Sequence, residues 1–196
     1  MSDSASSLRE RRVAETAQSL RAEARRLTAE QGFSGFTIEE LCEHVGVSRR
    51  TFFNYYASKE NAVLGIAVRT DTVELDEAFV AGTGHLLDDL AELLLARWDL
   101  FAPTRAEGAE LGRVFDREPR LFAHFVALAA ESERDDTALA LRRPDCAGDA
   151  LRAATAVHLL GALLRPTVAQ YFADGDTDIH GLLRQRLTVA RDLLSS

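Results

Sequence analysis

The sequence predicts an all-α protein, and three observations support this prediction. Glycine and proline are sparse over the 196 residues, apolar residues recur at spacings of three and four, and no segment alternates apolar and polar residues as a half-buried strand does. We expect about nine helices in two parts. A helix-turn-helix head covers residues 1–62, with a flexible tail over residues 1–7, and a second helical part covers residues 63–196.

The first helix is expected over about Leu8–Glu30, and Gly32 provides the glycine signal that ends it. Thr37 and Glu40 in the run TIEE have the spacing of a capping box, in which each side chain accepts a hydrogen bond from the backbone of the other residue. A second, short helix is therefore predicted to begin after Thr37.

The second helix ends at VGV, where Gly46 can adopt the positive φ of a sharp turn, and Ser48 follows as the N-cap of a third helix, SRRTFFNYY. Two short helices joined by a tight glycine turn are typical of a helix-turn-helix. Ser58 begins a fourth helix, which we predict to continue without interruption to Phe79. Glycine, proline and the stretch ADGDTD separate five further helices, at about 84–100, 104–116, 119–141, 146–173 and 178–194.

The third helix has one apolar face and one polar face. Phe52 and Tyr56 are four residues apart and mark the buried side, with Phe53 at its edge. Arginine can donate two hydrogen bonds to guanine, asparagine can pair with adenine, and hydroxyl groups can bind phosphate oxygens. The polar face presents Arg50, Thr51, Asn54 and Tyr55, with Arg49 at its flank and Lys59 at the start of the next helix as a phosphate partner.

The run GFSGFTIEELCEHVGVSRRTFFNYYASKENAVLG resembles the DNA-binding head of the TetR family over roughly residues 15–65. The resemblance implies a sequence-specific transcriptional regulator, more often a repressor, that binds a pseudo-palindromic operator in double-stranded DNA as a homodimer. Carried over position by position, it assigns backbone contacts to Thr37, Thr51, Tyr55 and Lys59, and base contacts to Arg49, Arg50 and Asn54. Ser48 and Phe53 complete the expected DNA-binding set.

Two positions depart from the family pattern. Arg50 stands where the family usually has a small residue, and Phe53 stands where it usually has a tyrosine. One phenolic phosphate contact is therefore missing and one cation is added, so we expect recognition to depend on arginine. The net charge of −8 is unevenly distributed: residues 1–70 carry +1 and the remainder carries −9, which suits a core held away from phosphates.

The resemblance also implies a core that binds an unidentified small, largely apolar effector, and a dimer interface formed by the last two long helices. Ligand binding is expected to tilt the fourth helix and separate the two recognition helices. Leu159, Leu163, Leu187 and Leu194 lie on apolar faces that would be exposed without a partner. The candidate ligand-binding residues, for which core packing is the alternative, are Arg97, Trp98, Phe101, Phe122, His124, Phe125, His158 and Arg165.

Other classes of function lack their motifs. The sequence has no GxSxG elbow, no HExxH and no glycine-rich phosphate loop, so neither an enzyme nor a cofactor or metal site is indicated. The stretch DGDTD is better explained as a loop with a helix cap at Asp178 than as a calcium site. Cys42 and Cys146 are expected to be buried hydrophobic residues. We expect a cytoplasmic protein without membrane spans; the remaining alternative is a ligand carrier that does not bind DNA specifically.

Overall fold

The computed structural model describes residues 3–68, 72–101, 103–174 and 177–195, with side chains from residue 12 onward except that of Phe101. The described residues form ten α-helices, one short 3-10 helix at Phe33–Gly35 and no strand, which confirms the predicted fold class. None of these helices is long and apolar enough to cross a membrane. The helices are α1 (Asp3–Gln31), α2 (Ile38–Val45), α3 (Arg49–Tyr55), α4 (Lys59–Leu64), α5 (Val73–Val80), α6 (Leu86–Phe101), α7 (Arg105–Arg117), α8 (Pro119–Ala140), α9 (Ala150–Ala173) and α10 (Ile179–Leu194).

The chain divides into two compact units. The first unit comprises Met1–Thr70 and Glu110–Val126, and the second unit comprises Asp71–Ala109 and Ala127–Ser196. Each has its own hydrophobic core. The first core is built mainly from α1 to α4, and Val114 and Leu121 from the later segment join it. No local sequence pattern indicates that residues 110–126 pack with the N-terminal helices.

α1 ends where its glycine signal predicts, but it begins at Asp3 and not near Leu8, so it includes most of the predicted flexible tail. Gly32 has a φ of 77° and ends α1, and its N–H donates to the carbonyl of Thr28. Leu20, Ala24 and Leu27 are fully buried and form the inner face of α1. Spaced three and four residues apart, they form a single stripe against the other helices of the unit.

The prediction of one long fourth helix is wrong. α4 ends at Gly65, which has a φ of 81° and donates to the carbonyls of Asn61 and Ala62. Arg25 of α1 donates to the carbonyls of Val63 and Leu64 and so satisfies acceptors that the helix end leaves free. Helix resumes only at Val73. The expected mechanism, in which this long helix tilts as one body, therefore loses its structural basis.

The five later helices occur where they were predicted, with one shifted start. α9 begins at Ala150 rather than near residue 146, because Asp149 caps it by accepting from the N–H of Arg152. It continues through Pro166 to Ala173. Asp178 caps α10 as predicted, accepting from the N–H groups of His180 and Gly181.

Several apolar predictions can be compared with the observed burial. Cys42 and Cys146 are both buried free thiols, as expected. Leu187 was predicted to be exposed without a partner, but it is buried in the core of the second unit because α10 packs on α9. Leu159 and Leu163 are half-buried, and Leu194 is 76% exposed.

A single buried arginine ties together the loops of the second unit. Arg143 is completely buried and forms ion pairs with Asp89 at 2.7 Å and Asp145 at 3.0 Å. Its guanidinium also donates to the carbonyls of Phe79 and Gly84. These bonds connect the end of α5, the start of α6 and the turn after α8. A buried charge is tolerated because every part of it has a partner.

Candidate DNA-binding site

The N-terminus of α2 is fixed by the predicted capping box. The hydroxyl of Thr37 accepts from the N–H of Glu40 at 3.2 Å, and the Glu40 carboxylate accepts from the N–H of Thr37 at 2.7 Å. This backbone hydrogen bond lowers the pKa of Glu40 below its usual value. A carboxylate at a helix N-terminus is favoured further by the helix dipole. The reciprocal bonds hold Thr37 at a defined, exposed position at the N-terminus of α2.

The turn between α2 and α3 follows the glycine and serine signals in the sequence. Gly46 adopts a left-handed conformation with a φ of 76°, and the N–H of Val47 donates to the carbonyl of Cys42. Ser48 caps α3 by accepting from the N–H of Thr51 at 3.0 Å. The two hydroxyl groups also bond to each other at 2.8 Å. α2 and α3 therefore form the predicted helix-turn-helix.

The inner face of α3 is locked by aromatic packing. Phe52 and Tyr56 are buried, and the Tyr56 hydroxyl donates to the carbonyl of Ala17 on α1. Phe53 packs edge-on against Phe52 with a centroid distance of 5.2 Å and remains 42% exposed. Because these rings fix the rotation of the helix about its axis, they determine which side chains point away from the core.

The outward face of α3 carries the polar residues predicted for it. Arg50 and Asn54 are exposed, and Thr51 and Tyr55 are half-buried. Arg49 forms an ion pair with Glu39 of α2 at 2.6 Å, and its guanidinium lies 5.6 Å from the centroid of Phe53. Arg50 has no hydrogen-bond or ion-pair partner in the described part of the chain, so its five donors are open to an external acceptor.

Lys59 is engaged within the protein. Its ammonium donates to the carbonyls of Phe33 and Phe36 at 2.6 and 2.5 Å, and it lies 4.4 and 4.3 Å from the centroids of the same two rings. Burial lowers the pKa of Lys59 below its ordinary value. To bind a phosphate, as the sequence analysis expects, the ammonium would have to leave both carbonyls.

A further ionic group joins α1 to α2 beside this site. Glu23 binds Arg26 and the Nδ1 atom of His44, each at 2.6 Å, and Arg26 also binds Glu30. The hydrogen bond from Arg26, with that from His44, lowers the pKa of Glu23 to about 2. The carboxylate is therefore ionised throughout the physiological range and can hold α2 against α1.

Residues 20–64, which contain this helix-turn-helix, match the profile described as bacterial regulatory proteins, tetR family. This part of the chain is a DNA-binding domain of the TetR type. It is 28% identical over 188 residues to the HTH-type transcriptional regulator TcmR of Streptomyces glaucescens, an alignment that covers 89% of this chain and 81% of that protein. It is 37% identical over 71 residues, 36% of each chain, to the HTH-type transcriptional repressor AcnR of Corynebacterium diphtheriae. The chain is a DNA-binding transcriptional regulator.

Residues 110–126 of the first unit also hold the DNA-binding helices. The sequence did not predict these contacts. The Glu118 carboxylate accepts from the N–H of Phe33 at 2.7 Å, and Glu110 pairs with the buried Arg25 at 3.6 Å. His124 is hydrogen-bonded to Asn61 at 2.9 Å. No local signal could have identified these contacts, because each joins residues more than 60 positions apart.

The eight candidate ligand residues are divided between the two units. His124 lies in the first unit, as do Phe122 and Phe125, which pack on Phe115. The other five belong to the second unit, and the side chain of Phe101 lies outside the described part.

The described candidates of the second unit differ in their surroundings. Arg97 is bound by Asp76 at 2.7 Å and Asp136 at 2.5 Å, while Trp98 lies in an aromatic cluster. His158 is exposed, and Arg165 is exposed and 3.2 Å from Glu133. A ligand acid at Arg97 would have to compete with two carboxylates.

Proposed function

We propose that this TetR-family regulator is a repressor that binds a pseudo-palindromic operator as a homodimer and leaves it when a small, largely apolar ligand occupies the second unit. The observation that carries the proposal is the outward face of α3. Its exposed guanidinium and amide have the donors and acceptors that distinguish bases in the major groove. The rings behind them keep that face outward.

We assign base contacts to Arg49, Arg50 and Asn54. Arg50 needs no rearrangement, whereas Arg49 would exchange Glu39 for a guanine. The exposed edge of Phe53 offers an apolar contact for a thymine methyl group. The phosphate contacts assigned to hydroxyl groups are those of Thr37, Ser48, Thr51 and Tyr55.

The proposed dimer uses α9 and α10. Leu151, Leu193 and Leu194 are each more than 70% exposed on these helices, and Val189 is about half exposed. Large apolar side chains exposed on neighbouring helices favour association with a partner surface. A twofold dimer places the two copies of α3 symmetrically, so we expect two half-sites in inverted orientation.

Release by a ligand follows from linkage. A ligand that binds the DNA-free conformation more tightly lowers operator affinity, and the operator lowers ligand affinity by the same factor. The half-buried aromatic side chains of the second unit support a ligand with apolar surface. The repressor assignment is also supported by the name of the second relative, AcnR.

The test begins with selection of sheared genomic DNA by the purified full-length protein at physiological salt. Anisotropy titrations of the recovered site then compare the wild type with Arg50→Ala and with Arg120→Ala, which removes an exposed arginine of α8. We expect an inverted repeat whose affinity falls about 5-fold or more in Arg50→Ala and does not change in Arg120→Ala. Equal, weak binding to all DNA would instead favour the ligand carrier.

A further inference from the structure

Three aromatic side chains in the second unit form a half-buried cluster. The ring of Trp98 on α6 lies 5.5 Å from that of Tyr171 and 6.0 Å from that of Phe172, and the last two rings are 5.2 Å apart. A Cβ at Gly108 of α7 would lie 2.1 Å from the Phe172 ring, so the glycine allows α7 to approach that ring. The cluster combines apolar surface with partial access to solvent.

Arg105 of α7 lies against this cluster with a donor left unused. Its guanidinium is 4.9 Å from the centroid of Tyr171, and Nη2 donates to the carbonyl of Thr177 at 3.2 Å. Nη1 is buried and has no hydrogen-bond partner, and Arg105 forms no ion pair within the described residues. A buried donor without an acceptor is unfavourable, and a structure usually provides one.

Several other arginines of the second unit have the carboxylate partner that Arg105 lacks. Arg97, Arg143 and Arg184 each bind a carboxylate at 2.5 to 2.8 Å. Arg186 also has a buried Nε without a partner, but its Nη2 donates to the side chain of Gln170.

We propose that Arg105, Trp98, Tyr171 and Phe172 bind an aromatic carboxylate. The carboxylate accepts from Nη1 of Arg105, and the aromatic body packs against the three rings. A carboxylate supplies the acceptor that Nη1 lacks, and its hydrogen bond with a guanidinium is charge-assisted. The inference rests on the proposed function and specifies the chemical class of its ligand.

Trp98 is the only tryptophan of the chain, so its fluorescence reports on this site directly. The probes are 2-naphthoate and its neutral amide, 2-naphthamide, which share the same rings. Titrations of the full-length protein follow Trp98 fluorescence, corrected for absorption by the probe, with calorimetry as the second measurement. We expect saturable binding of 2-naphthoate, at least 10-fold tighter than that of 2-naphthamide.

Substitutions identify the group that recognises the acid. Arg105→Gln should weaken 2-naphthoate binding by about 10-fold or more and leave 2-naphthamide binding unchanged. Arg113→Gln, at an exposed position of the same helix, should change neither. Circular dichroism and thermal unfolding establish that each variant is folded.

Three results would overturn the proposal: equal affinity for the two probes, no saturable change of Trp98 fluorescence with 2-naphthoate, or a loss of affinity in Arg186→Gln but not in Arg105→Gln. Operator binding without a probe is measured in parallel. If the operator binds but the naphthoate fails, only this inference is wrong. If Arg105-dependent binding is found but the operator is neither recognised nor released, the site stands and the proposed function fails.

Discussion

Replacing Lys59 with methionine separates a structural role of this residue from a DNA-binding role. Methionine keeps the length of the apolar stem and removes the ammonium. The carbonyls of Phe33 and Phe36 then lose the charged donor that lies 2.6 and 2.5 Å away. A hydrogen bond to a charged group contributes about 1.5–3 kcal/mol, and the cost of desolvating the ammonium offsets part of the total. We expect Lys59→Met to lower the free energy of unfolding of the first unit by about 2 kcal/mol.

The same variant distinguishes the two roles through the salt dependence of operator binding. If Lys59 bound a phosphate, its removal would reduce the slope of log K against log salt by about 0.9. Because the ammonium is already bound by two carbonyls, we expect the slope to be unchanged. Arg120→Met provides a control for the loss of one cation from the same unit.

Urea unfolding followed by circular dichroism measures the first effect, and anisotropy titrations from 50 to 200 mM salt measure the second. Lys59 is the only lysine of the chain, so acetylation of its amine can be followed from the mass of the proteolytic peptide that contains it. We expect slow acetylation with or without DNA. Unchanged stability of Lys59→Met, a slope reduced by about one, and protection of the amine only when DNA is bound would together refute this reasoning.

Three further substitutions test contacts within each of the two units. Arg143→Met should destabilise the second unit by about 3 kcal/mol in thermal unfolding, because buried carbonyls and carboxylates lose their donor; a loss below 1 kcal/mol would contradict this. Glu23→Gln should lower the free energy of unfolding of the first unit by about 0.5–1 kcal/mol at pH 7. Because Arg26 lowers the pKa of Glu23 from 4.5 to about 2, that difference should shrink below pH 4.5 and vanish near pH 2, and a pH-independent difference would count against the ion pair. Gly65 and Gly148 both have a φ of 81°, but only a Cβ at Gly65 would meet a side chain, at 2.8 Å. Gly65→Ala should therefore lower the free energy of unfolding more than Gly148→Ala does. Equal losses in urea unfolding would exclude that contact.

The sequence predicted the elements whose signals are local. The capping box at Thr37, the left-handed turn at Gly46 and the serine caps at Ser48 and Ser58 all depend on residues within four positions of one another. The end of α4 was missed for the opposite reason. A helix passing through Gly65 was compatible with its neighbours, but Arg25, about 40 positions earlier, binds the carbonyls that its end exposes. Tertiary contact therefore decided this boundary.

The outward face of α3 was predictable because the buried rings set the helical phase. Phe52 and Tyr56 fix the inner side, and simple geometry places Arg50 and Asn54 opposite. The surroundings of Lys59 were not predictable, since its acceptors are backbone carbonyls in the turn after α1. An exposed-looking position in a motif gives no information about which carbonyls approach it in the fold.

The arginines of the second unit show that ligand-binding residues, too, cannot be identified from the sequence alone. Arg97 and Arg165 interrupt apolar faces in the sequence and were therefore predicted to bind a ligand, but the structure supplies carboxylate partners to both. Arg105 was not among the predicted residues, because its neighbours in sequence are polar or small and give no sign of an aromatic environment. What distinguishes Arg105 is a buried donor without an acceptor. That property depends on where α9 and the residues after it lie. A guanidinium that is available to a ligand can therefore be recognised only once the internal carboxylates that could bind it have been located.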